Sequence, residues 1–160
     1  MPDKKDTIAL LDDIADLMEF KGENKFKVGA YRNGAISIRR FEGDFSKAIE
    51  QKELDKIKGI GKGLQSVIYE YFDTGESSLF KQLKEEVPDG IEQLLIIKGL
   101  EAKKVHLLYS QLGISNLGEL EYACKENRLA LLKGFGEATQ NKILEEIEKQ
   151  KFHSKFVLPP

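Results

Sequence analysis

Five apolar positions recur three times along this chain at fixed offsets from a glycine: −5, −2, +1, +9 and +13. They are Leu54, Ile57, Ile60, Ile68 and Phe72 around Gly59, and Leu94, Ile97, Leu100, Leu108 and Leu112 around Gly99. Around Gly134 they are Leu129, Leu132, Phe135, Ile143 and Ile147. With 41% of residues hydrophobic, agreement at every position in every copy is a chance event on the order of one in a million. Each copy predicts a short helix, a tight reversal and a longer second helix. The copies occupy residues 53–74 (closed by Gly75), 91–112 (closed by Gly113) and 129 to about 149.

The pattern outside the copies is helical as well. Residues 7–21 predict an amphipathic helix with Ile8, Leu11, Ala15 and Met18 on one face and Asp6 as its N-cap. A second helix is predicted from Phe26 to Phe41 although it contains Gly29 and Gly34, each costing ~1 kcal/mol against alanine. Those glycines point to close helix packing or close approach of a ligand. Further helices are predicted after Asp44, over 78–86 and over 116–126. No segment alternates with period two over strand length, so the expected fold is an all-α helical bundle. The strongest break is Val87-Pro88-Asp89-Gly90. It divides the chain into an expected domain at 1–87, a helical subdomain at 90–152 and a tail at 153–160.

The repeated turn reads Ile57-Lys58-Gly59-Ile60-Gly61, then Ile97-Lys98-Gly99-Leu100-Glu101, then Leu132-Lys133-Gly134-Phe135-Gly136. A reversal this short needs left-handed backbone, which is cheap only for glycine. The second helix starts at once, so its first N–H groups lack partners and point outward. A phosphate can approach them where glycine carries no side chain, and the helix dipole favours its charge. This is the helix-hairpin-helix pattern, which grips nucleic-acid backbone without reading sequence. The contact candidates are Gly59, Gly61, Lys62, Gly63, Gly99, Lys103, Lys104, Gly134 and Gly136.

Charge changes the picture locally. The net charge of −2 argues against a nucleic-acid partner. Residues 21–40, however, hold Lys21, Lys25, Lys27, Arg32, Arg39 and Arg40 against Glu23 alone. Lys25, Arg32 and Arg39 recur every seven residues, which makes them a basic stripe on one helix. Asp3, Asp6, Asp12, Asp13, Asp16 and Glu19 crowd the first twenty residues and read as a solvated face. A lone cysteine, Cys124, excludes an internal disulfide and a thiolate zinc cluster, and His106 and His153 are too few for a metal triad. No apolar run approaches the ~20 residues of a membrane span, so the expectation is an intracellular chain.

The sequence resembles the X-family DNA polymerases of the bacterial kind that also carry an exonuclease domain. The resemblance rests on Leu17-Met18-Glu19-Phe20-Lys21-Gly22-Glu23-Asn24, Phe26-Lys27, Ala30-Tyr31-Arg32, Lys58-Gly59-Ile60-Gly61-Lys62, Phe72-Asp73-Thr74-Gly75, Val87-Pro88-Asp89-Gly90, and the second and third turns. It covers essentially the whole chain. It implies a gap-binding domain like the N-terminal domain of polymerase beta, followed by a small helical hairpin subdomain. It further implies a 5′-phosphate site at Lys27, Tyr31 and Arg32, to which the basic stripe adds Lys25 and Arg39, and gapped or nicked duplex DNA as partner. By resemblance the hairpins also hold Na+ or K+ through backbone carbonyls, those of Asp55, Ile57 and Ile60 in the first and of Leu95, Ile97 and Leu100 in the second.

The departures are equally specific. No Asp-x-Asp occurs, so the palm carboxylates that hold two divalent metal ions are missing. The expectation is a portion of a larger polymerase, or a free-standing relative without the palm, with no cofactor or small-molecule substrate of its own. Where lyase-active relatives carry a Schiff-base lysine, eight residues after Gly59, this chain has Val67 and no amine to form an imine. Lys62 is the nearest lysine at that hairpin. Glu101-Ala102 stands where the family has Gly-Pro, which makes the second hairpin the weakest DNA contact. Two other classes fit parts of the pattern: an accessory junction-binding or nuclease-associated hairpin protein, and a helical protein-interaction module.

Overall fold

The structure, a computed structural model, describes the backbone of residues 1–156 and side chains through residue 152. The tail expected at 153–160 therefore lies outside the described side chains, and residues 157–160 lie outside the described backbone. The chain forms two compact units, Met1–Val87 and Pro88–Pro160. Among the described residues every regular element is helical, as the all-α reading requires.

The first unit begins with α1 (Lys4–Lys21), whose N-cap is Asp3 rather than Asp6. The two aspartates form a reciprocal capping box, Asp3 Oδ1 accepting from Asp6 N–H at 2.8 Å and Asp6 Oδ2 from Asp3 N–H at 3.1 Å. Helix α1 packs against both α2 (Lys25–Arg40) and α5 (Ser78–Glu86). That double contact widens its buried face beyond a single stripe: Leu10, Leu11, Ile14, Ala15, Leu17, Met18 and Phe20 are buried, whereas Ile8 is only half-buried. Helix α3 (Phe45–Glu50) follows, its Phe45 ring edge-on to Phe41 and Phe72 at 6.5 and 5.8 Å. A 3₁₀ turn (Leu54–Lys56) and α4 (Lys62–Thr74) complete the first hairpin. Gly34 explains the glycine in α2, because a Cβ there would collide with Leu64 of α4. Gly29 faces open space instead.

The second unit comprises α6 (Ile91–Leu95), α7 (Ala102–Leu112), α8 (Leu117–Lys125), a 3₁₀ turn (Leu129–Leu131) and α9 (Gly136–Phe156). Its core is built on Ile91, Leu94, Leu108, Ile114, Leu120, Leu129 and Ile147, all nearly inaccessible to solvent. The buried Gln140 ties α9 back to the preceding turn, its Oε1 accepting from Ala130 N–H at 2.9 Å and its amide donating to Asn127 at 3.0 Å. Four of the five repeated apolar positions are buried in each hairpin, and only Phe72, Leu112 and Leu132 are half-buried. The repeat is thus the packing code of the fold. The short first helix it predicts is α-helical only in the second copy and a 3₁₀ turn in the other two.

Candidate nucleic-acid interface

The three turns share one hydrogen-bond pattern. The amides of Ile60, Leu100 and Phe135 donate to the carbonyls of Ile57, Ile97 and Leu132 at 3.2, 3.0 and 3.0 Å. The first glycine of each phrase is left-handed, with φ of +95° at Gly59, +86° at Gly99 and +92° at Gly134. A bond across four residues with a left-handed third residue is the signature of a type II turn, and glycine is the residue it calls for. Gly59 has a second reason to lack a side chain, since a Cβ would strike the hydroxyl of Ser37 on α2.

The second position of the phrase divides the copies. Gly61 and Glu101 are extended N-caps with φ of −77° and −75°. Any residue adopts that backbone, which is how glutamate stands where glycine stands in the first copy. Gly136 is left-handed at +74°. Backbone strain on substitution therefore belongs to Gly59, Gly99, Gly134 and Gly136 and not to Gly61. A Cβ on Gly61 or Gly63 would meet nothing within 4 Å.

Five other helix starts are closed by side chains, whereas the five-residue α6, which follows the left-handed Gly90, has no side-chain cap. Asp3, Asn24, Asp44, Ser77 and Asn116 each accept from an amide of the helix they precede. Helices α4 and α7 have no such cap. Their first intrahelical bonds are Gln65 N–H to Gly61 at 2.9 Å and Val105 N–H to Glu101 at 3.0 Å. The amides at 62–64 and at 102–104 have no acceptor within their helices. Lys62, Gly63 and Lys103 are exposed on those first turns and Lys104 is half-buried. Glu101 is exposed on the same turn, a carboxylate that opposes a phosphate there.

The carbonyls expected to hold a monovalent ion are already in use in part. Ile57 and Ile97 accept the turn bonds just described. The Ile60 carbonyl also accepts the Gln65 side-chain amide at 3.0 Å. An ion in the first hairpin would share Ile60 with that donor, so the fit is poor. The corresponding residue of the second hairpin is Val105, which has no donor, and there Leu95, Ile97 and Leu100 fit an ion better. Among the described residues no cluster of histidine, cysteine and carboxylates suits a metal. Burial, and then Glu121, pushes the Cys124 thiol up to about 11, so it stays protonated and unreactive.

Helix α2 carries its basic residues among carboxylates. Arg32 Nη2 lies 2.9 Å from Asp16 Oδ1 and 3.2 Å from Glu19 Oε1. Arg39 stands 3.8 Å from Asp12 and Lys27 3.8 Å from Glu23. The acidic start of the chain is therefore more than a solvated face, because Asp12, Asp16 and Glu19 are counter-charges to the stripe. Burial tends to lower the Arg32 guanidinium, but Asp16 and Glu19 outweigh it and hold it above its ordinary range. Burial pushes the Asp16 carboxyl up in spite of Arg32. Tyr31 is 6% exposed; burial, and then Glu23, raises its phenol. Lys25 and Lys27 remain exposed beside Phe26, whose ring is 83% exposed. Val67 is buried in α4. Phe26 and Gln65 had no place in the site read from the chain. An apolar residue between two lysines, and glutamine at the same offset in two copies (Gln65 and Gln140), were the available signals.

Two family descriptions match: a helix-hairpin-helix domain over residues 2–77, and a SAM-like helix-hairpin-helix tandem over residues 91–149. The DNA polymerase/3'-5' exonuclease PolX of Bacillus subtilis (strain 168) is 42% identical over 144 residues. That alignment takes in 90% of this chain and 25% of the relative. The chain thus spans about a quarter of the length of the curated relative it matches.

Proposed function

Given a chain that carries helix-hairpin-helix domains and is similar over nine-tenths of its length to an X-family DNA polymerase, we propose that it grips the backbone of gapped or nicked duplex DNA without reading its sequence. DNA binding within an X-family polymerase is the general role the relatives suggest. The observation that carries the specific reading is the contrast among helix starts. Side chains cap α1, α2, α3, α5 and α8, while α4, α7 and the five-residue α6 begin uncapped next to a turn with a left-handed glycine. Of these only α4 and α7 carry lysines on the first turn, α6 having Glu92 instead. Gly61 and Gly63 are glycine although neither backbone nor packing requires it. An approaching phosphate supplies the reason, since the uncapped amides and Lys62 can then bond it directly.

In this reading Lys25 and Lys27 receive a 5′-phosphate at the start of α2, and Phe26 offers a face on which an unpaired base stacks. Tyr31 supports that helix from within its core, and Arg32 and Arg39 contribute as far as their carboxylate partners release them. Lys103 and Lys104 supply charge at the second hairpin, where Glu101 weakens the grip. The lysines bring no sequence discrimination, which suits lesions that occur anywhere. The chain acts as a binding platform and carries out neither nucleotide transfer nor lyase chemistry. Gel-shift series on gapped, nicked, branched and intact duplexes test it. Tightest binding to a gap bearing a downstream 5′-phosphate is expected. A preference for branched DNA would favour a junction-binding role, and salt-independent or absent binding would favour a protein-interaction module.

A further inference from the structure

Ile96 and Leu131 occupy the same place in the two hairpins of the second unit, three residues before Gly99 and Gly134. Ile96 is 67% exposed and Leu131 88%. Both neighbours in the repeat turn inward: Leu94, Ile97 and Leu129 are buried and Leu132 half-buried. Packing therefore does not account for apolar side chains at these points. The first hairpin has Lys56 there, paired to Glu53 at 3.5 Å. Two residues beyond each apolar tip stands an exposed lysine, Lys98 or Lys133.

Resting on the DNA-binding reading above, we infer that Ile96 and Leu131 are apolar tips that the second unit presses into the minor groove of duplex DNA. In that arrangement Lys98 and Lys133 take the phosphates at the groove's edge. The partner is argued from charge and reach. Apolar tips flanked by cations complement a surface whose rim is anionic and whose walls are the carbon faces of sugars. Three residues of chain span at most ~11 Å, so a turn seated on a phosphate brings the tip to the groove mouth. The minor groove is about 6 Å wide and 7.5 Å deep, and isoleucine and leucine are among the side chains that proteins insert there. Contact with sugar carbons distinguishes no base, which keeps binding independent of sequence. The tip also gives the second hairpin a hold that Glu101 does not oppose, because apolar contact needs no phosphate at the start of α7. The two units then use different chemistry at one register position, a cation in the first and a hydrocarbon in the second.

Salt dependence separates the tips from the lysines. Fluorescence anisotropy on a labelled duplex is measured for the parent, for Ile96→Ser with Leu131→Ser, and for Lys98→Ala with Lys133→Ala. The substituted positions are exposed, and circular dichroism verifies that the variants keep their helix content. The tip variant is expected to lose about tenfold in affinity at every salt concentration with an unchanged slope of log affinity against log salt. The lysine variant is expected to flatten that slope by about 0.9 per contact removed. Tip variants that bind like the parent overturn the inference while leaving the DNA reading intact, as does a tip variant whose loss tracks a change in slope. Loss of self-association with unchanged DNA binding would assign the tips to a protein interface instead. A parent that binds no duplex overturns both readings together.

Discussion

Arg32 of α2 reaches back to α1 and sets its Nη2 2.9 Å from Asp16 Oδ1. That pair, with Glu19 at 3.2 Å, makes Arg32 part of the helix–helix contact before it is anything for DNA. A half-buried guanidinium with two carboxylates leaves an uncompensated charge on either side when it is removed. Arg32→Ala is expected to cost about 1–3 kcal/mol of stability, seen as a lowered melting temperature in thermal unfolding.

Arg39 and Asp12 stand 3.8 Å apart on the same helix pair, Arg39 exposed and Asp12 half-buried. Their attraction is worth little to folding, yet the carboxylate competes with any phosphate that Arg39 could bind. Asp12→Asn is expected to leave the melting temperature within a degree or two and to raise DNA affinity about two- to fivefold at low salt. The gain should vanish at high salt. Unchanged affinity at low salt would remove Arg39 from the DNA-facing set.

The hairpin glycines separate fold from function. Gly59→Val places a β-branched residue at φ +95° against Ser37, and such a residue in left-handed backbone costs of order 1–3 kcal/mol. Gly136→Val meets the same backbone penalty at φ +74°. Gly61→Val meets neither backbone strain nor a neighbour. It is therefore expected to melt like the parent and still lose about tenfold in DNA affinity, because the side chain obstructs the uncapped amides. Equal DNA binding by a folded Gly61→Val would reduce the first hairpin to a structural turn.

Gln65 gives the Ile60 carbonyl a donor from within the chain at 3.0 Å. Gln65→Leu removes it, and the expected outcome is a DNA affinity that newly depends on K+. Titrations in potassium and in tetramethylammonium chloride at equal ionic strength check this. Equal K+ dependence in parent and variant would mean that the glutamine does not stand in for an ion.

Val67, buried in α4, supplies no amine, and Lys62 is the nearest lysine in that hairpin. Borohydride trapping on a 5′-incised abasic duplex is expected to give no covalent adduct. An adduct lost in Lys62→Ala would make that lysine catalytic.

Much of this was legible in the chain, for identifiable reasons. The apolar repeat specifies three hairpins because its positions are the ones the core needs, and Asp44, Gly75 and Gly113 mark helix ends through local chemistry that neighbours do not alter. Capping was less secure where two candidates compete, as Asp3 and Asp6 do by capping each other. The pairing of Arg32 and Arg39 with α1 was out of reach, because heptad spacing shows that charges share a helix face but not which helix that face meets. The exposure of Phe26, Ile96 and Leu131 was hidden for a similar reason, since an apolar residue next to a buried stripe reads as part of it. Gly61 and Gly136 look alike in the phrase and differ only in backbone, which the letters do not record.

Backbone recognition by uncapped helix starts underlies these expected outcomes. Its most direct test is the affinity of the parent chain for gapped duplexes of two unrelated sequences, each with and without a downstream 5′-phosphate, across a series of salt concentrations. The expected result is equal affinity for the two sequences, tighter binding with the phosphate, and log affinity falling linearly with log salt at about 0.9 per phosphate neutralised. Affinity that differs between the sequences, ignores the 5′-phosphate or does not respond to salt would contradict it.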